Sequence, residues 1–147
     1  MEENKITSFR GDYFFLSNFY PCAILYNGYL FGSAEAAFQA QKVINSRDQV
    51  SFTQMSPGQA KKYGKTVELR KDWEDVKLSI MEDIIREKFI YDPDLIKMLL
   101  DTGDKELIEG NNWNDTFWGM CRGKGENHLG KILMKLREEL RMKEVVT

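Results

Sequence analysis

Cysteine, proline and histidine are all scarce in this 147-residue sequence, with two, three and one of each. Cys22 and Cys121 lie far apart and make no CxxC pair. That excludes a disulfide-stapled scaffold and points to a reduced, cytoplasmic protein. A lone histidine, His128, without paired cysteines gives no zinc donor set, so neither metal nor cofactor is expected. No apolar run approaches the ~20 residues of a membrane span, and Met1 to Lys5 lack the apolar core of a signal peptide. A membrane partner is therefore not expected. Neither sign of charge dominates: the formal net charge of -2 lacks the basicity of a nonspecific nucleic-acid binder. Lys61, Lys62 and Lys65 cluster locally, as do Arg122 and Lys124, and the ordinary reading of both groups is solvated surface. P-loops, a credible Ser/His/Asp set, internal repeats and interdomain linkers are missing too.

What remains is an ordinary globular composition, 42% hydrophobic and 12% aromatic. The length suits one domain over residues 1–147, able to bury about 68–70% of its unfolded surface. Short strands and turns open the chain, including an aromatic run from Tyr13 to Leu16 read as a strand. Ala23–Tyr26 and Tyr29–Phe31 flank Asn27-Gly28, a strong hairpin signal because both residues tolerate the positive φ of a type I′ turn. Helices follow. Ser33 caps the first, Ser56 and Pro57 open a short one ending at Gly64, and Asp72 is placed to cap a long one from Trp73 to Tyr91. Asp92 and Pro93 start another that Gly103 stops, and a last one opens near Asn127 with an apolar stripe of Leu129, Ile132, Leu133, Leu136 and Leu140. The fold class is α+β, predominantly helical, with a small N-terminal antiparallel hairpin.

The segment SAEAAFQAQK, from Ser33 to Lys42, carries the most chemistry. Drawn as one helix, it puts Glu35, Gln39 and Lys42 within a sector of roughly 60°. Glu35 and Lys42 then stand about 10 Å apart along the axis, too far for the usual i,i+4 ion pair. An acid and an amine at that distance, with an amide between, suit a sugar-sized ligand; a solvated helix face is the competing reading. Asn18 beside Phe19 pairs an amide with a ring, either a base-binding couple or a turn asparagine next to a core aromatic. Arg70 offers a planar fork for phosphate and Trp73 a pocket wall, against a surface arginine and a core tryptophan. In Asn114-Asp-Thr-Phe-Trp-Gly119, Asp115 is a candidate general acid or base and Trp118 a stacking surface. Gly123 and Gly125 resemble a phosphate-cradling loop, with Asn127 as binding residue or simple N-cap.

In this order the segments resemble the NADAR family, also called YbiA-like proteins. The matching pieces are Phe15–Phe19, Ser33–Lys42, Gly64 with Leu69–Trp73, Lys77 with Met81, Thr102-Gly103, Asp115–Gly119 and Gly125–Gly130, spanning about residues 9–137. The resemblance implies a compact, mostly helical domain that breaks N-glycosidic bonds to ribose. It implies two substrate branches: ADP-ribose on modified guanine in nucleic acid, and ribosylamino intermediates of riboflavin biosynthesis. It also places Glu35, Lys42, Trp73, Asp115 and Trp118 at site positions, with Asn18, Phe19, Gln39, Arg70, Gly119 and Asn127 as binding residues. The expected partner is thus ADP-ribose or another ribosylated base, free or on nucleic acid. One cavity lined by Glu35, Lys42, Asp115 and Trp118 is the expected centre. A module that binds ADP-ribose or NAD without turnover is the rival reading.

Overall fold

The computed structural model describes residues 4–146, with side chains through Lys143. In chain order it contains β1 (Lys5–Ile6), a 3-10 turn (Gly11–Leu16), β2 (Pro21–Tyr26), β3 (Tyr29–Ser33), α1 (Ala34–Ala40), α2 (Ser46–Val50), a second 3-10 turn (Ser51–Gln54), α3 (Pro57–Gly64), α4 (Trp73–Ile90), α5 (Pro93–Asp101), β4 (Glu106–Leu107), β5 (Gly110–Asn111), β6 (Met120–Cys121) and α6 (His128–Val146). Helix predominates and every sheet is two-stranded, which makes the class α+β. Two compact units are distinguished: residues 18–91, and residues 4–17 with 92–146.

In the unit of residues 18–91, β2 and β3 form the expected hairpin, with Tyr26 opposite Tyr29. Asn27 and Gly28 take φ 51° and 84°, the left-handed pair a type I′ turn needs. α1 packs among α3, α4 and β3. Ala34, Ala36, Ala37 and Ala40 are completely buried, so small side chains let three neighbours approach one helix. Ser33 caps it by accepting from Ala36 N at 3.1 Å. α3 opens with a reciprocal capping box between Ser56 and Gln59. The stretch carrying α2, with Asn45 as its N-cap, had no sequence forecast. α4 buries Ile80, Met81, Ile84, Ile85 and Phe89, and also Lys88. The Lys88 ammonium lies 5.5 Å from the Tyr20 ring centroid and 5.3 Å from that of Phe89, and burial lowers its pKa to about 8.

In the other unit, α6 buries the expected Leu129, Ile132, Leu133, Leu136 and Leu140 and packs against α5 and β4. Asp92 caps α5 through Asp94 N and Leu95 N. Two parallel pairs, β1 with β4 and β5 with β6, are each two residues long, too short for any periodicity to announce them. Buried Arg137 donates to Thr102 Oγ1 and Lys105 O at 2.9 and 2.8 Å, anchoring the turn after α5.

Three local expectations are corrected. The Tyr13–Leu16 run is a 3-10 turn, closed by Tyr13 N to Arg10 O and Ser17 N to Phe14 O. Its neighbouring Phe15 and Leu16 are both buried, a pattern no half-exposed strand permits. α1 stops at Ala40, so Lys42 stands beyond the helix rather than on its face. There Gln41 Nε2 takes the Ala37 carbonyl, while Gln41 N and Lys42 N bond back three residues and tighten the last turn. Asp72 makes no side-chain cap; its carboxylate is drawn to the Arg70 guanidinium instead.

Candidate functional site

Glu35 is the one residue of α1 that is not buried. Gln39 behind it is only 7% exposed, so the acid and amide do not form a solvated helix face. Gln39 Nε2 donates to Glu35 Oε2 at 2.7 Å, which orients the carboxylate. Gln39 in turn is seated against Gly64, where an added Cβ would overlap Gln39 Oε1. That oxygen is buried and accepts no hydrogen bond from the described residues, an expensive state for an amide.

Lys42 completes the group from the turn after α1. Its Nζ donates to Gly64 O at 3.2 Å, so acid, amide and amine are all organised about the end of α3. Burial lowers the Lys42 pKa, with Lys65 and Lys77 pushing the same way and Glu35 opposing. Lys65 therefore belongs to the electrostatics of the site, although its sequence context reads as surface. Lys77 is shared with Glu74, 2.7 Å away.

Asn18 is fastened to the start of α1: its carbonyl accepts from Glu35 N at 3.0 Å. Its side chain is buried, with Nδ2 3.5 Å from Met81 Sδ and Oδ1 accepting nothing from the described residues. Phe19 is half-buried, and the Lys61 ammonium lies 5.9 Å from its ring centroid. Arg70 N donates to Lys42 O at 2.8 Å, yet its guanidinium is engaged by Asp72 at 2.6 and 3.1 Å. The fork assigned to phosphate thus already holds a carboxylate. Trp73 is 5% exposed and packs on Phe38, ring centroids 5.1 Å apart; it supports α1 from the core.

The other unit holds Asp115, Trp118, Gly119 and Asn127. Asp115 Oδ1 accepts from Phe117 N and Trp118 N at 3.1 and 2.9 Å, an Asx turn that shapes the loop. Asn111 adds bonds to Asp115 N and Asp115 O. The half-buried Trp118 ring meets Phe117 edge-on at 4.8 Å. Buried Asn127 clamps backbone with both ends of its amide: Nδ2 donates to Leu107 O at 2.9 Å and Oδ1 accepts from Glu109 N at 3.0 Å. Gly119 is buried where a Cβ would overlap Glu109. Glu109 is a half-buried carboxylate in this loop cluster that sequence reading passed over, and no motif spacing signals it.

The glycine loop is corrected as well. Arg122 and Gly123, at φ 53° and 76°, are the corner of a tight turn closed by bonds between Cys121 and Lys124. Gly125 lies against Gly119 O and Met120 Cα. These glycines serve chain reversal and close packing, and Lys124 N is spent inside the turn instead of facing a phosphate.

A family model, the NADAR domain, matches residues 7–141. The chain belongs to the NADAR family. N-glycosidase YbiA of Escherichia coli (strain K12) is 38% identical over 133 residues, covering 88% of this chain and 82% of that protein. N-glycosidase Npun_R5314 of Nostoc punctiforme is 39% identical over 132 residues, covering 85% and 84%. Riboflavin biosynthesis protein VVA0006 of Vibrio vulnificus is 42% identical over 130 residues, 86% of this chain. The chain spans only 35% of that longer relative. The NMR structure of the E. coli protein YbiA matches with a TM-score of 0.85 at 35% identity, covering 99% of this chain and 89% of that one. Among the described residues of this NADAR chain, no three His, Cys, Asp or Glu side chains converge as a metal site, and no helix is long and apolar enough to cross a membrane.

Proposed function

We propose that this chain is an N-glycosidase that hydrolyses a ribosyl C1–N bond, with ADP-ribose on a modified guanine as its substrate. The observation that carries the reading is the carboxylate of Glu35, oriented by buried Gln39 and accompanied by Lys42 with a lowered pKa. The names of the E. coli and Nostoc relatives support the reaction class. A second substrate, a ribosylaminopyrimidine phosphate, is favoured by the name of the Vibrio relative.

Cleavage of a ribosyl C1–N bond develops positive charge on the sugar, and a carboxylate set against C1 stabilises it. Glu35 takes that role. A lowered pKa leaves more of Lys42 as free amine at neutral pH, able to form a bond to C1 as the base departs with a proton. The sugar opens to an imine, and water then adds to C1 and frees the amine.

Purified protein should be assayed in parallel on an ADP-ribosylated guanine oligonucleotide and a ribosylaminopyrimidine phosphate. Glu35→Gln should lower turnover by about 10³-fold while leaving the unfolding midpoint nearly unchanged. Unaltered turnover in that variant removes Glu35 from the mechanism. Borohydride added during turnover should leave a reduced sugar on Lys42 by mass spectrometry, and an unmodified Lys42 eliminates the imine. A protein that binds ADP-ribose but turns over neither substrate is a binding module.

A further inference from the structure

Beside Lys42 the unit of residues 18–91 contains a cleft of about 380 Å³, within the range of small-ligand pockets. Val43, Asp48, Tyr63, Val67, Glu68 and Arg70 are among the residues that line it. Two of its walls are tied to the Lys42 turn: Val43 follows Lys42 in the chain, and Arg70 N donates to Lys42 O. A third, Tyr63, precedes the Gly64 carbonyl that holds the Lys42 amine.

The lining selects by chemistry. Tyr63 is 47% exposed and backed by buried Phe52 at 5.4 Å between centroids, so a supported aromatic face is presented to a flat ligand. Ile44 and Leu69 add exposed apolar surface, at 70% and 47%. The one cation in the lining, Arg70, is consumed by Asp72. Asp48 and Glu68 are exposed carboxylates with no hydrogen bond or ion pair to the described residues. A phosphate would meet two acids and no free base here. A planar ring with N–H donors along one edge would gain a stacking partner and charge-assisted hydrogen bonds.

We propose that this cleft is the seat of the departing base, taking a nitrogen heterocycle that offers a paired N–H and amino edge to Glu68 or Asp48 and its face to Tyr63. Guanine and a 2-amino-4-oxopyrimidine both carry that edge, so the proposal holds for either substrate above. It deepens the N-glycosidase reading and rests on it, since only that reading makes a base the leaving group.

The test reads binding separately from turnover. Guanosine, 2,4-diamino-6-hydroxypyrimidine and adenosine are titrated into the full chain while the methyl resonances of Val43, Ile44, Val67 and Leu69 are followed by NMR. Guanosine and the aminopyrimidine should each shift these methyls saturably. Tyr63→Leu should weaken that binding about tenfold, and Glu68→Gln with Asp48→Asn should weaken it several-fold. Both variants should keep the wild-type spectrum elsewhere, which reports that they fold. Under turnover they should raise KM far more than they lower kcat. If only the aminopyrimidine saturates, the seat stands and the small metabolite is its source; if guanosine alone does, the source is modified guanine. Saturable shifts in a protein that turns over neither substrate leave a base-binding cleft but overturn its assignment to a departing base, together with the glycosidase reading. Turnover without any methyl shift, or shifts from adenosine alone, overturn the cleft assignment and leave the glycosidase reading in place.

Discussion

Two amide side chains, one from each unit, are employed in opposite ways. Asn127 uses its oxygen and its nitrogen on backbone groups, at Glu109 N and Leu107 O. Gln39 uses its nitrogen on Glu35 and leaves its oxygen buried without a donor among the described residues. Their surroundings follow suit. In the Asp115 loop, Asn111, Asp115 and Asn127 all hold the chain itself. Around α1, Glu35 and Gln39 bond to each other, and Asn18 Oδ1 is a second buried oxygen without a donor among the described residues. Polar groups that satisfy backbone amides hold a loop in shape; polar groups left partly unsatisfied in a packed core carry a cost that folding alone does not repay.

Breaking that contrast should begin with the clamp. Asn127→Ala removes two hydrogen bonds to backbone, one of them buried, and puts a non-glycine, non-asparagine residue at φ 54°. Chemical denaturation should show a loss of about 3 kcal/mol. A loss below ~0.5 kcal/mol would mean that the clamp is redundant. Gly64→Ala comes next: its methyl would overlap Gln39 Oε1, costing about 2 kcal/mol as Gln39 is displaced. Glu35 loses its orienting donor in the same step, so turnover should fall along with stability. Gly58→Ala is the control on the same helix, with open space at its Cβ, and should stabilise by up to ~1 kcal/mol. Equal effects from the two would separate Gly64 from the site. The smallest change sharpens the role of Asp115. Asp115→Asn keeps an oxygen for Phe117 N and Trp118 N, so thermal unfolding should move by less than ~0.5 kcal/mol. Asp115→Ala, which removes that oxygen, should cost about 1–2 kcal/mol. If Asn is as damaging as Ala, the loop requires the charge and not the acceptor.

Much of this was legible beforehand, for reasons that differ from element to element. The hairpin, α3, α5 and α6 were readable because their signals are local. Asn27-Gly28 needs only its own backbone, Ser56 with Pro57 satisfies its own first turn, and four leucines and one isoleucine of α6 repeat at helical spacing. The pairs β1–β4 and β5–β6 were not readable, being two residues each, and β1–β4 also joins distant parts of the chain. Asp72 misled because Arg70, two residues away, competes successfully for a carboxylate that would otherwise cap. Lys42 misled through an ideal-helix drawing: the side chain of Gln41 takes the Ala37 carbonyl and the last turn tightens. Within the α1 group, residue types pointed to Glu35, Gln39 and Lys42. The dependence of all three on Gly64 could not be inferred, because nothing in a glycine codon position tells which side chain lies against it.

Residue order alone determined the family, the helical character and the acid, amide and amine near α1, since caps, turn dipeptides and apolar periodicity act over a few residues. Tertiary packing decided which polar groups hold backbone and which are left partly unsatisfied. Burial, desolvation and close approach depend on neighbours far away in the chain, and no local pattern encodes them.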